Sequence, residues 1–394
     1  MKKKTIKYLI VLGDGMADYE DEGGQTPLTL AKKPFIDGLV KKSELGLVQT
    51  VPKGMSPGSD TANLSVMGYD PKQYYTGRSP LEAASIGINL SGNDVTYRLN
   101  LVTLSDDKEF NNKTMLDYSA GEITTKKADK IIKILKPYAP KDCELYTGTS
   151  YRHCLVYKDK KSESGQFMPP HDITDKVISN HLPPEPFCSF IKKSHEILKN
   201  HPQNDTKCNS AWIWGAGTKP MLTPFKQKFG VSGAVISEVD LIKGIGICAK
   251  MQSIDVDGAD GSLDTNYEGM VAAAIKAFGI HDFVYLHIEA PDECGHKGDK
   301  DGKILSIEYL DNRVVEPLLK QLEKDYHVRM LFLPDHATPL ALKTHTSDPV
   351  PYMLYDSKKA FESSQTSYTE QSAAATKIFE KEGHNLISKL FATK

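Results

Sequence analysis

The chain has no C-x-x-C pair, no apolar run of membrane length, no dominant sign of charge and no G-x-x-x-x-G-K-[ST] loop. Each absence removes a class of function. The six cysteines, Cys143, Cys154, Cys188, Cys208, Cys248 and Cys294, are scattered, which fits neither a zinc knuckle nor a disulfide framework and points to free thiols in a reducing cytoplasm. The N-terminal MKKKTIKYLIVLGDG stops being apolar at Leu12, far short of the roughly 20 residues of a membrane span and without a signal-peptide cleavage site. It reads as a buried first strand. Lys and Arg number 49 against 51 Asp and Glu, a formal net charge of −2, so no global field points to nucleic acid or an anionic membrane. The missing phosphate loop argues against a P-loop kinase, and WGAGTKP at 214–220 reads instead as a strand-to-helix turn. The expectation is a cytoplasmic protein with a small-molecule partner, no nucleic acid and no membrane; the sequence is silent on oligomeric state.

At 394 residues the chain exceeds one hydrophobic core. Apolar, β-branched runs at 6–15, 210–217, 282–292 and 328–336 each end in a polar loop. Near-continuous apolar strands belong to sheets covered on both faces. Helical patterns lie between them at 28–42, 60–68, 219–229, 238–249, 266–279 and 302–324. This alternation predicts an α/β doubly wound sheet with helices on both faces, in which ligands gather at the carboxyl ends of the strands. The middle differs: VTYRLNLVTL, TTKKADKIIKILKPY and YRHCLVYK read as a smaller α+β domain, left through the polar stretches KDKKSESGQFMPPHD and LKNHPQNDTKCNS. The expected division is 1–91 with 206–394 as one discontinuous domain, and 92–205 inserted. The polar tract at 356–377 reads as a mobile loop.

Chemistry concentrates after strands. Asp14 follows the first strand in VLGDGMAD. EAPDECGHKGD places Asp292 and His296 at i, i+4, FLPDHATP places Asp335 beside His336, and His345 lies in KTHTSDPVPYMLY. One Asp-Gly or one histidine is ordinary, but together the Asp/His groups suit Mn²⁺, Zn²⁺ or Mg²⁺. Three Asp and three His are too many for one site and the right number for two. Paired metals about 4 Å apart are a common device for phosphoryl transfer. In KGMSPGSDTANLSVMGYD, Ser59 follows Pro57-Gly58 at a helix start, where a serine serves as an N-cap or, beside metals, as a nucleophile. Cys294 reads as a small buried hydrophobe.

The motifs GDGMAD (13–18), TPLTLAKKPFIDGL (26–39), PGSDTANLSVMGYDP (57–71), YYTGRSPLEAASIG (74–87), EAPDECGHKGD (289–299), PDHATP (334–339) and HTSDPVP (345–351) carry a resemblance. The set resembles the alkaline phosphatase superfamily and, within it, the archaeal-type branch of the cofactor-independent phosphoglycerate mutases. The resemblance implies an alkaline-phosphatase-like sheet whose inserted domain grips the substrate. It implies that Asp292, His296 and His345 hold one metal, and that Asp14, Asp335, His336 and Ser59 hold the other. Mn²⁺ is the expected ion, with Mg²⁺, Zn²⁺ and Co²⁺ accepting the same ligands and no 2,3-bisphosphoglycerate required. Ser59 would accept the phosphate of 3-phosphoglycerate and return it to the 2-hydroxyl of glycerate. A homoserine-directed phosphotransferase or a phosphomonoester hydrolase would use the same metal residues.

The substrate's phosphate and carboxylate call for cationic donors, and arginine matches both bidentately. Arg78 in TGRSP comes first, then Arg152 and His153 in YRHCLV, then Lys243 in VDLIKGIG. Arg98 and Arg313 fit solvated or structural roles.

Overall fold

The computed structural model describes residues 5–158, 166–359, 361 and 363–392. The chain divides into two compact units, Met1–Tyr75 with Met221–Lys394, and Thr76–Pro220. The stretch 92–205 lies inside the second unit, which begins earlier and ends later because helix Ser79–Ser85 packs on strands Val95–Leu104 and Ser210–Thr218. Part of the polar stretch after YRHCLVYK, residues 159–165, is outside the described residues.

The first unit is built on an eight-stranded sheet, in the order Phe379–Glu380, Ser43–Val48, Val350–Asp356, His327–Leu333, Ile6–Gly13, Phe283–Ile288, Gly233–Ile236 and Gln252–Ile254. Ile6–Gly13 runs parallel to both of its neighbours, and all of it beyond Ile6 is buried. Successive residues of a strand face opposite sides. Accordingly Leu9, Val11, Val284, Leu286, Val328 and Met330 join a core with helices Tyr267–Ala277 and Glu316–Asp325. On the opposite face Phe283 stacks on Phe225 of helix Phe225–Phe229 at 4.7 Å and meets Phe391 of helix Leu386–Phe391 at 5.9 Å, while the Tyr285 hydroxyl donates to Asn63 of helix Ser59–Val66. Helices therefore cover both faces, which is why these strands read as unbroken apolar runs.

Several expected elements differ. The run at 28–42 is two helices, Pro27–Leu30 and Pro34–Val40, because Pro34 lacks an N–H and forces Lys33 out of helical geometry. The run at 302–324 contains a π-helical segment, Leu310–Val315, from which the buried Asp311 carboxylate accepts the Phe35 and Ile36 N–H groups that open the Pro34–Val40 helix. Within 219–229 only Phe225–Phe229 is helical. The polar tract at 356–377 includes helix Glu370–Ala375, anchored by the fully buried Tyr368, whose hydroxyl donates to the Pro351 carbonyl. Of that tract, residues 360 and 362 are outside the described residues.

In the second unit, Val95–Leu104 pairs antiparallel with Met115–Asp117, Arg152–Tyr157 and Ser210–Thr218, and Cys143–Tyr146 pairs with Arg152–Tyr157. The run at 210–217 thus belongs to this sheet and not to the eight-stranded one; an apolar run fixes a strand but not its partner. Helices Thr125–Leu135 and Phe187–Leu198 bury apolar stripes in the same core as this sheet. Among the described residues, no helix is long and apolar enough to cross a membrane.

Candidate active site

Three adjacent parallel strands end on one edge of the large sheet, and each delivers a carboxylate there. Asp14 follows Ile6–Gly13, Asp292 follows Phe283–Ile288, and Asp335 follows His327–Leu333. The register fixes the convergence. Gly15 (φ +58°) takes the turn after Asp14, and a side chain there would collide with Asp292 and Thr338. Asp292 and His296 lie one turn apart on helix Ala290–Lys297, which Gly298 ends in the left-handed conformation. His345 arrives on a loop held by bridge pairing of Thr346 with Ala337.

The six residues form two candidate ligand sets, Asp292/His296/His345 and Asp14/Asp335/His336, whose donor atoms lie within 4.8 Å of one another in each set. In the first, His296 Nε2 is 3.1 Å and His345 Nε2 3.5 Å from Asp292 oxygens. In the second, His336 Nε2 is 3.2 Å from Asp335 Oδ2 and 3.6 Å from Asp14 Oδ1. The sets adjoin, with the His336 and His345 rings stacked at 4.0 Å. Ser59 opens its helix; Gly58 is the N-cap, and the first-turn Thr61 N–H goes to Asp60 Oδ1, so the capping role read for Ser59 does not hold. Instead Ser59 Oγ lies 3.2 Å from His336 Nε2. Asn63 amide donates both to the Ser59 carbonyl and to Asp335 Oδ2, and its own oxygen is held by Tyr285.

Sequence reasoning passed over Asn63, Thr338 and His287. Thr338 hydroxyl donates to Asp292 Oδ1, and His287, in the buried strand, lies 2.8 Å from Asp14 Oδ2. The one available signal was a histidine inside the otherwise apolar FVYLHI.

These carboxylates are buried with histidines, not Lys or Arg, beside them; among the described ion pairs none joins Lys or Arg to Asp14, Asp292 or Asp335. Burial, then Asp335, Glu289 and Asp292, push the Asp14 carboxyl well above its usual range, and burial and Asp292 do the same to Glu289. Burial also presses on Asp292, but His296 and His345 win and hold it well below. In return the Asp292 hydrogen bond lifts His296 to about 9, while burial lowers His287 to about 4 and also lowers His336. Asp14 Oδ1 is buried and has no hydrogen-bond partner. Concentrated buried negative charge with an orphaned oxygen is what a cation would compensate. Oxygen and imidazole donors in threes fit divalent ions.

The second unit carries a separate cationic cluster. Glu82 binds Arg78 at 2.8 Å and Arg98 at 2.9 Å, and the Arg98 guanidinium stacks 4.1 Å over Trp214. Burial pushes Glu82 up, but Arg98 and Arg78 hold it low; burial lowers Arg98 to about 10. Arg98 is therefore a buried scaffold and Arg78 the more open guanidinium. Arg152 and His153, both expected to bind substrate, are strand neighbours and project to opposite faces. Arg152 is exposed, whereas His153 is buried, accepts the Gly148 N–H at Nδ1 and is pushed down to about 3 by burial. In the first unit, Lys243 pairs with Asp255 at 2.8 Å.

Comparison with known proteins places this arrangement. The family described as 2,3-bisphosphoglycerate-independent phosphoglycerate mutase matches residues 40–204. A probable enzyme of that description from Geobacter sulfurreducens is 44% identical, covering 97% of this chain and 98% of its own. Another from Methanothrix thermoacetophila is 44% identical over 98% of this chain and 100% of its own. A solved structure from Pyrococcus horikoshii superposes with a TM-score of 0.82 at 25% identity, covering 100% of this chain and 99% of that one. The cofactor-independent phosphoglycerate mutase of Thermoplasma acidophilum superposes with a TM-score of 0.64 at 24% identity, covering 98% of each chain, and shares the fold. On identity and coverage together, this chain belongs to the 2,3-bisphosphoglycerate-independent phosphoglycerate mutases, isomerases that act without added bisphosphoglycerate.

Proposed function

We propose that this enzyme interconverts 3-phosphoglycerate and 2-phosphoglycerate through a phosphoserine at Ser59, beside two divalent cations. The observation that carries the reading is Ser59 Oγ at 3.2 Å from His336 Nε2, on the edge of a ligand set whose Asp14 Oδ1 is buried and unpartnered. Asp292, His296 and His345 would hold one cation, and Asp14, Asp335 and His336 with Ser59 the other, Mn²⁺ being the first choice. Bound there, the cations supply positive charge for the phosphoryl oxygens and make the serine alkoxide accessible near neutral pH.

The chain's own residues do the rest. Ser59 sits at the first position of its helix, where the N–H groups of the first turn that Asp60 Oδ1 does not take favour a phosphate. Asn63 fixes the Ser59 carbonyl and the Asp335 carboxylate in one contact, so nucleophile and ligand keep their spacing. Ser59 Oγ attacks the phosphorus and the bond to the substrate's O3 breaks. Glycerate then turns, its 2-hydroxyl oxygen attacks, and the bond to Ser59 breaks. Arg78 and Arg152 are the residues assigned to the substrate's anionic groups; His153, with its ring in the core, supports the fold of its unit.

The test is a cation-reconstituted assay with 3-phosphoglycerate, coupled to enolase, with free phosphate followed in parallel. Formation of 2-phosphoglycerate with little phosphate release supports the reading. Phosphate release alone would replace it with hydrolysis.

A further inference from the structure

A third group of potential ligands, Asp14, His287 and Glu289, adjoins the two sets, with donor atoms again within 4.8 Å. Its hydrogen bonds give it another role. Ser237 Oγ accepts the Val239 N–H at 3.0 Å and lies 3.1 Å from His287 Nδ1. On the other side of the ring Asp14 Oδ2, which as a cation ligand's carboxylate oxygen only accepts, faces Nε2. A neutral imidazole that accepts at one nitrogen donates at the other. His287 Nε2–H therefore donates to Asp14 Oδ2, 2.8 Å away. Glu289 Oε2 is 3.9 Å from that nitrogen, beyond hydrogen-bond reach. With Nε2 and Asp14 Oδ2 committed to each other, only Asp14 Oδ1 stays open, and it faces His336 Nε2 at 3.6 Å.

Resting on the reading of Asp14 as a cation ligand, we infer that His287 is a positioning residue, not a ligand of a third ion. Fully buried between Ser237 and Asp14, it turns the Asp14 carboxylate so that Oδ1 alone serves the Asp14/Asp335/His336 set. The Asp14 carboxylate fixes the tautomer, and Ser237 Oγ, which accepts the Val239 N–H, donates to the Nδ1 left unprotonated. Outer partners of this kind typically govern about 10–100-fold in metal affinity.

The experiment is Mn²⁺ binding by calorimetry to the full chain and its variants. His287→Leu is expected to weaken one of two Mn²⁺ sites by about 10–100-fold and leave the other unchanged. His287→Gln, whose amide places an N–H near the Nε2 position, is expected to restore most of the affinity. Should His287→Leu not fold, Ser237→Ala removes the hydroxyl that seats the ring at Nδ1 and is expected to weaken the same site several-fold. In ¹⁵N-histidine-labelled protein loaded with diamagnetic Zn²⁺, the His287 resonance should carry its proton on Nε2. Unchanged Mn²⁺ affinity in His287→Leu, a proton on Nδ1, or loss of both sites without rescue by glutamine would each overturn the inference. So would three Mn²⁺ per wild-type chain falling to two in His287→Leu, which would make the histidine a ligand. Asp14→Asn separates the layers. If it still binds two Mn²⁺ at undiminished affinity, the ligand reading itself is wrong; if it loses one while His287→Leu loses nothing, only the present inference fails.

Discussion

Ser59 Oγ and His336 Nε2 lie 3.2 Å apart although the two residues are 277 positions apart in the chain. One opens a helix and the other follows a central strand, so the contact exists only because the sheet edge gathers both. A serine held there for the proposed attack on phosphorus has no packing duty, and Ser59→Ala should keep the wild-type unfolding curve. Mutase turnover should fall on the order of 10⁴-fold or more, as for other enzymes stripped of their nucleophile. Residual activity near wild type in the coupled assay would remove Ser59 from the mechanism.

Lys303 is the hidden clamp of the loops that follow Asp14 and Asp335. Its buried ammonium binds Asp18 at 2.7 Å and the carbonyls of Ala17 and Thr338, while Asp18 accepts the Leu340 N–H. The segments after Asp14 and after Asp335 are thereby tied to each other. Lys303→Met leaves Asp18 buried without its counter-charge and should cost about 3–5 kcal/mol in urea unfolding. A loss below about 1 kcal/mol would show that the loops hold their places without it.

Glu238 gives the fold a pH dependence. The residue is partly exposed, but its Oε2 is buried without a partner, and desolvation raises the carboxyl to about 7 from 4.5. The folded state thus holds this proton more tightly than the unfolded chain. Its stability contribution is complete below about 4.5, falls as pH rises towards about 7 and is level above that. Glu238→Gln lacks the ionisation and should match wild type below that window while exceeding it by up to about 3 kcal/mol above it. Urea unfolding on either side of the window measures the difference; equal stabilities at both ends would show that Glu238 ionises at no cost.

Arg78 shares Glu82 with the buried Arg98, so removing it does not orphan the carboxylate. Arg78→Ala should therefore fold normally and bind Mn²⁺ as wild type does. Losing one charge-assisted contact to the substrate should raise KM about 10–100-fold. A KM within twofold of wild type would assign Arg78 to its Glu82 pair alone.

Legibility in the sequence followed physical range. Strands at 6–13, 283–288 and 327–333 announce themselves because a sheet covered on both faces needs unbroken apolar runs, and the polar residues that end those runs are the ones at the sheet edge. Their order across the sheet is a long-range property that no local pattern encodes. The run at 210–218 shows this, since it reads like the others and pairs in the smaller sheet. His287 escaped notice because a histidine in an apolar strand reads as core until its partners, from residues 14 and 237, are in place. Arg152 and His153 carry the opposite lesson. Strand alternation alone separates neighbouring side chains, and that was readable from YRHCLVYK.

The most direct test of the central claim is to quench the Mn²⁺-loaded enzyme during turnover of 3-phosphoglycerate and map the phosphopeptides. The account predicts phosphate on Ser59 in the wild type and none on that peptide in Ser59→Ala. Phosphate on another residue, or none on a chain shown to be turning over at saturation, would contradict it.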